Sequence, residues 1–379
     1  MIARVRGAAG AIALATAVMA SAVSAQITIG IGTDYMGYTF DEGLGATAAQ
    51  LLMVPVALRL PLGDAIAVDV AASWAQGKIE RDNTTFSLQG PTDVRLKLSW
   101  SATPWALVSF GASLPTGNSM HDGEEAIVAS VLATDLLGFR ESTLGTGASL
   151  TSAVATAARV GGWGVGVAGA YSVRGEFEPS VDQDLTYQPG NETRVRLGFD
   201  RNIGNSTFTM GGTVMDYSSD LANSRNLFQA GRRMSFDATY AFRAGAGVWT
   251  IYAADMIREN GDLTLSIVDD LGSIVADTAI TTAKQNLMVA GFVGSIGVGS
   301  GFVFRPHIDF KMQNRTEPDG SDEGSGWMLS AGGDFPVRVF GGYDFFPKAR
   351  LLYGSITNGA GDGINVIGAE FTATVRWAF

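Results

Sequence analysis

The chain contains no cysteine and only two histidines, His121 and His307. The first absence excludes a disulfide framework, a cysteine-based zinc site and a thiolate nucleophile. The second leaves little material for a histidine relay or a histidine-rich metal site. Charge is also scarce. Charged residues make up 17% of the 379 positions against 46% hydrophobic, which excludes an intrinsically disordered chain. The net charge is −11 and no basic stripe runs along the sequence, so no nucleic-acid partner is expected. Uninterrupted apolar runs are missing too, with one exception after the N-terminal segment, "QNLMVAGFVGSIGVGSGFVF" (285–304). Its glycines and the central "GVGSG" read as two strands joined by a turn rather than as a membrane helix. Both "GLGATA" and "GVGSG" lack the strand–helix frame of a dinucleotide site, so no cofactor is expected.

What is present begins with a leader. "MIARVRGAAGAIALATAVMASAVSAQ" places Arg4 and Arg6 before an alanine-rich apolar stretch that ends in Val23-Ser24-Ala25. This is the layout of a cleaved signal peptide over 1–25, with the mature chain over 26–379. A membrane anchor is the alternative, but the segment is short and ends in small residues.

Alternation dominates the remainder. In the closing segment Phe371, Ala373, Val375, Trp377 and Phe379 share one face, while Glu370, Thr372, Thr374 and Arg376 share the other. "TDVRLKLSW", "ETRVRLGFD", "RMSFDATYAF" and "GFVFRPHIDFKMQ" repeat the split. The strands run to about ten residues or more, enough to cross a bilayer at a tilt. Short connections alternate with longer acidic ones, the rhythm of outer-membrane barrels. The tryptophans fall near strand ends, where an interfacial girdle would place them. These features predict an all-β transmembrane antiparallel barrel of about sixteen strands in the outer membrane of a Gram-negative bacterium. Fourteen strands is the alternative, with residues 26–50 as a plug instead of the first strand. Within lipid every backbone polar group must be paired, so the last strand has to meet the first. The aromatic end (Phe371, Val375, Trp377, Phe379) then reads as an assembly signal. The expected partners are the barrel-assembly machinery, periplasmic chaperones, outer-membrane lipid and lipopolysaccharide.

A barrel of this width is too wide for side chains to fill. Projecting the strands inward predicts a charged pore lining. Its cations are Arg59, Arg95, Lys97, Arg194, Arg196, Arg233, Arg305, Lys311, Arg338, Lys348, Arg350 and Arg376. Asp69, Asp93, Asp237, Asp309, Asp334 and Glu370 supply the opposite sign, and His307 stands among them. The remaining acid collects in the longer connections, including Glu124, Glu176, Asp269, Asp270 and Asp319. No spacing there matches an EF-hand, and a solvated acidic surface is the simpler reading.

The longest connection, 115–143, carries "EEAIVASVLATDLLGF" (124–139), which suits a short helix as well as a strand. It is expected either to fold into the barrel or to stand clear of the mouth. In the first case it would rest on the small-residue wall formed by Ala153, Ala155, Ala157, Gly164, Gly166, Ala168 and Ala170. Neither histidine sits in a nucleophile motif of the G-x-S-x-G kind, so no enzyme is expected.

At "GPTDVRLKLSW" and "VSFGASLPTGNS" the chain resembles a family of outer-membrane transporters related to aromatic-degradation operons and, more distantly, to long-chain fatty-acid channels. The resemblance rests on Gly90, Asp93 and Leu114-Pro115-Thr116-Gly117, and implies uptake of small, hydrophobic molecules. The residues therefore support a passive channel for small solutes first. A structural or adhesive barrel without a pore comes second, and a barrel hydrolase acting on lipid or peptide third.

Overall fold

The computed structural model describes residues 26–268, 274–298, 302–339, 343–358 and 361–379. The leader read at 1–25, the acidic Asp269 and Asp270, and positions 299–301 of the "GVGSG" turn lie outside the described residues.

Sixteen antiparallel staves form the wall. In chain order they are β1 (Thr28–Phe40), β2 (Ala48–Leu62), β3 (Ile66–Arg81), β4 (Thr84–Pro91, continued by Val94–Thr103), β5 (Ala106–Leu114), β6 (Ser149–Val160), β7 (Trp163–Arg174) and β8 (Glu192–Ile203). The second half comprises β9 (Ser206–Tyr217), β10 (Arg233–Ala244), β11 (Gly247–Arg258), β12 (Lys284–Val298), β13 (Phe302–Thr316), β14 (Asp322–Asp334, continued by Val337–Val339), β15 (Tyr343–Thr357) and β16 (Gly363–Ala378). Each stave pairs with the next, and β1 pairs with both β2 and β16, in the registers Thr28↔Arg59 and Thr28↔Ala378. Ile27 and Phe379 exchange backbone hydrogen bonds of 3.0 and 3.1 Å at the seam. No stave is left as an edge, so the backbone donors and acceptors of the wall are satisfied within the sheet. The first segment is a stave and the count is sixteen, which sets aside fourteen strands with an N-terminal plug.

Alternation sorts the two faces. On β16 Glu370 is 1% exposed while its neighbour Phe371 is 53% exposed, although both lie mid-strand. Ile31, Leu98, Phe110, Val195, Phe236, Ile251, Ile308 and Leu351 extend the apolar exterior around the circumference. A cation moved onto that face at mid-bilayer would cost about 2–4 kcal/mol, which holds every stave in register. Among the described residues no helix is long and apolar enough to cross a membrane. The staves do the spanning.

The two ends of the barrel differ. One carries tight turns such as 161–162, 204–205 and 245–246, and the paired ends of β1 and β16. The other carries the long connections. There the β7–β8, β9–β10 and β11–β12 connections build a second, five-stranded sheet from Tyr187–Gln188, Asp220–Ala222, Arg225–Gln229, Asp262–Val268 and Ile274–Thr281. Asp220 ties this cap together, accepting from the Tyr187 hydroxyl at 2.5 Å and from the Gly190 amide at 2.6 Å.

A buried apolar core lies inside the cylinder. Inward side chains of β1–β4 and β14–β16 (among them Met36, Leu51, Ile79, Leu88, Met328 and Val366) pack on Val128, Leu132, Leu136 and Phe139 of the β5–β6 connection. Side chains alone cannot fill a sixteen-stranded lumen, so a length of chain has entered it.

Candidate functional site: the lumen and its inward loop

The β5–β6 connection, residues 115–148, starts with a clasp. Where β4 breaks at Thr92-Asp93, the buried Asp93 carboxylate accepts from the Gly117 amide at 3.0 Å and from the Thr146 amide at 2.8 Å. One side chain thereby holds both ends of the loop. Thr116 Oγ1 adds a second tie, accepting from the Val94 amide at 2.9 Å. A Cβ at Gly117 would run into the Leu144 carbonyl, so only glycine lets the two loop ends lie this close. Asp93, expected to line a pore, is instead consumed in this clasp. Gly90, Asp93 and Leu114-Pro115-Thr116-Gly117, the short motifs noted in the sequence, all flank it.

Between its ends the loop forms helix α1 (Gly123–Leu132). A capping box starts it: Asp122 accepts from the Glu125 amide at 2.8 Å, and Glu125 accepts from the Asp122 amide at 3.4 Å. Such caps contribute about 1 kcal/mol. The helix lays Val128 and Leu132 over Gly77 of β3, where an added Cβ would come within 2.6 Å of Leu132 Cδ1. Burying side chains of this size contributes about 1.5–3 kcal/mol each, which fastens α1 to the β2–β4 wall. The small-residue wall named in the sequence reading is not the landing surface. Ala153 and Ala155 of β6 and Gly166, Ala168 and Ala170 of β7 do point inward, but α1 needed large apolar partners to bury its own, and those are on the other side.

Beyond α1 the loop is pinned by charge. Arg140 enters between Asp34 of β1 and Glu370 of β16, forming an ion pair with each. Glu370 also accepts from Lys348 Nζ at 2.9 Å and pairs with Arg350, whose Nη1 reaches Asp309 at 3.0 Å. Ser330 donates to the same Asp309 oxygen at 3.0 Å. Asp135 accepts from Arg258 of β11 at 3.3 Å and from Gln285 of β12 at 2.8 Å. Glu141 accepts from Arg95 of β4 at 3.0 Å. The Tyr38 hydroxyl donates to the Leu137 carbonyl at 2.6 Å. These anchors lie on β1, β4, β11, β12 and β16, so residues 135–141 run across the interior.

The other projected lining residues occupy three zones. Toward the short-turn end lies a cavity of about 470 Å³ roofed by Arg140 and bordered by Arg59, Asp69, Asp334, Lys348 and Arg376. There Arg59 pairs with Asp69 at 3.4 Å, and Arg376 with Asp344 at 2.7 Å. Arg338 meets Asp344 at 3.5 Å near the rim, and Arg305 lies 4.0 Å from Asp334. Lys97 stands beside Asp69 in register. Beneath the loop Lys311 and the buried His307 flank Asp309. His307 Nε2 is buried and has no hydrogen-bond partner. On the β8–β11 side, Arg196 pairs with Asp237 at 2.8 Å, and Arg194 shares Glu192 with Arg174. Arg233 lies over the Tyr217 ring at 5.4 Å. Phe371, Val375, Trp377 and Phe379 all face outward. The sequence reading left out Asp34, Asp135, Arg140 and Arg258. All four carry charge at inward or loop positions, but nothing local marks them as partners.

His121 sits outside this zone, buried against Glu125 with Nδ1 3.5 Å from Oε2. Among the described residues no group of three His, Asp or Glu side chains is arranged to hold a metal ion.

No family model and no curated protein matches the chain. Among solved structures it is similar to OccK9 (OpdG) of Pseudomonas aeruginosa, at 10% identity and a TM-score of 0.49, covering 94% of this chain and 99% of that one. It is also similar to a bacterial polysaccharide outer membrane secretin, at 11% identity and 0.47, covering 94% and 100%. The monoaromatic hydrocarbon channel CymD matches at 12% identity and 0.45, covering 96% and 93%. The sixteen-stranded architecture stands on the pairing registers of the chain itself.

Proposed function

We propose that the protein is an outer-membrane channel through which small solutes pass passively, in the space the inward loop leaves open. One observation carries this reading: the loop is pinned to β1, β4, β11, β12 and β16, while the mid-strand inward positions of β6 and β7 (Ala153, Ala155, Ala157, Gly166, Ala168, Ala170) are Ala and Gly. A loop that crosses the lumen between these staves and leaves the small-walled stretch of β6 and β7 uncovered narrows a pore without filling it. The cavity beneath Arg140 supports the reading, since the ionised side chains that border it at that depth require water. A closed wall with an apolar exterior belongs in a bacterial outer membrane, with the tight turns on the periplasmic side.

Planar-bilayer recording tests the proposal. Stable ohmic steps are expected, and deleting residues 124–139 should raise the single-channel conductance. A second reading, a sealed structural barrel, is favoured by the apolar packing of α1 inside the cylinder. A silent bilayer for the intact chain, with current only after the deletion, would select it. Equal conductance with and without the segment would remove the constriction.

A further inference from the structure

Above the level at which the wall closes, the β3–β4 hairpin stands free on one side. The outward side chains of β3 run Val68, Val70, Ala72 and Trp74, then turn polar at Gln76, Lys78 and Glu80. Across the turn, Thr85, Ser87 and Gln89 of β4 share that outward face, so the upper hairpin has left the hydrocarbon. β5 pairs with β4 only as far as Val94↔Leu114, and the chain then turns inward through Pro115-Thr116-Gly117 to the Asp93 clasp. Among the described residues, Thr84–Pro91 pairs with β3 alone. The turn fixes which main-chain groups are left over. Asp82 and Asn83, at φ 48° and 63°, form a two-residue loop closed by the Arg81↔Thr84 pair. Residues flanking such a loop bond each other, so Thr84, Phe86, Leu88 and Gly90 spend their N–H and C=O groups on β3. Thr85, Ser87 and Gln89 turn theirs the other way, where no backbone partner meets them among the described residues. Pro91 continues this outer series, and its missing N–H takes nothing from the ladder. Exposed edges are usually blunted by charge, proline or a bulge. Between Asn83 and Gly90 the stretch reads Thr-Thr-Phe-Ser-Leu-Gln and carries none of these.

We propose that this edge binds an extended peptide of about five to seven residues as an added strand. Thr85, Ser87 and Gln89 each offer one donor and one acceptor at the two-residue repeat of a strand, and another extended main chain matches that spacing. The guest continues a pairing already in place, since it lies in line above β5 on the same edge of β4. Phe86 and Leu88 are committed to the core built on α1, so recognition falls on the main chain and tolerates a range of peptide sequences. A second copy fits poorly. Staves tilt by about 35–45° in such barrels, and a barrel inserted the same way brings its own β4 across at the opposite tilt, so the two edges cross. That the peptide arrives from outside the cell rests on the channel reading above and its orientation; the binding edge does not.

The test is a fluorescence-anisotropy titration of labelled acetyl-Lys-Thr-Val-Thr-Val-Thr-Lys-amide with the full chain in detergent. Saturable binding is expected, and the same peptide N-methylated at its central residues should not bind. Ser87→Ala keeps the main chain and should bind as the unmodified protein does. Ser87→Pro removes the central outward N–H while sparing the bonds to β3, and should weaken binding by about tenfold or more. Barrel integrity is checked by heat-dependent gel mobility. If Ser87→Pro fails to assemble, Thr85→Pro or Gln89→Pro carries the same test. No saturable binding by the unmodified chain, or equal binding by an assembled proline variant, overturns the proposal. So does a concentration-dependent dimer that Ser87→Pro abolishes, which would give the edge to a second copy. Planar-bilayer recording separates the two readings. Peptide binding with a silent bilayer would remove the channel and keep the edge; ohmic current without peptide binding would do the opposite.

Discussion

Arg140 and Glu370, 230 positions apart in the chain, meet at 3.3 Å inside the barrel. The first is carried inward by the β5–β6 connection and the second belongs to the closing stave. Through this contact the loop is tied to the seam that completes the cylinder. Glu370 is the hub, because Lys348 and Arg350 converge on it as well.

Glu370→Ala therefore strands three cations around an empty centre. Breaking a buried network by removing one partner costs about 3–5 kcal/mol. The expected result is a lower urea midpoint for the refolded protein, followed by tryptophan fluorescence. Arg140→Ala removes a single spoke, so its midpoint should fall less while the loop becomes more mobile in the lumen.

Asp93→Ala opens the clasp at Gly117 and Thr146. Each lost bond to the charged oxygen is worth about 1.5–3 kcal/mol, and all of it falls on the loop rather than on the wall. Limited proteolysis should cut within 118–145 while the barrel keeps its heat-dependent mobility. A variant as resistant as the unmodified chain would show that the clasp does not hold the loop.

Substitutions on the two faces of β16 should diverge. Phe371→Arg puts a cation on the exterior, at a cost of about 2–4 kcal/mol near mid-bilayer. Arg376→Gln removes a half-exposed lumen pair with Asp344, worth about 1 kcal/mol or less. Equal folding yields of the two into lipid vesicles would contradict the assigned faces.

The cap predicts a pH response. Burial first, and then the bond to Asp220, push the Tyr187 hydroxyl above the usual tyrosine range. A raised folded-state value means the protonated form supports the cap. Its contribution is complete below the unfolded value near 10.0 and fades as pH climbs through the higher folded one. Cleavage of the 176–190 segment by added protease should stay flat through neutral pH and rise only under strongly alkaline conditions. Tyr187→Phe should be cut faster at every pH.

The same contrast between local and distant contacts separates what could be read early from what could not. The alternation in "EFTATVRWAF" settles which residues of β16 meet lipid, because side-chain period is a property of neighbours in the chain. Repeated sixteen times, it settles the class of fold, and the lack of edges in lipid then requires Thr28–Phe40 to meet Gly363–Ala378. Which wall the β5–β6 connection would choose was not legible. "EEAIVASVLATDLLGF" shows that it has apolar residues to bury, but the large partners Met36, Leu51, Ile79 and Met328 come from staves scattered over the chain. Only closure of the barrel brings them together.

Asp93 and Glu370 looked alike in the sequence, as inward carboxylates on alternating strands. The tertiary structure made one a clasp for two backbone amides and the other the centre of a cation cluster. Alternation assigns a direction to each side chain, and the sequence determined that much. What meets a side chain once it points inward is decided by the chain that arrives from across the lumen, since charge and hydrogen-bond energies depend on partners and distances that no local pattern encodes.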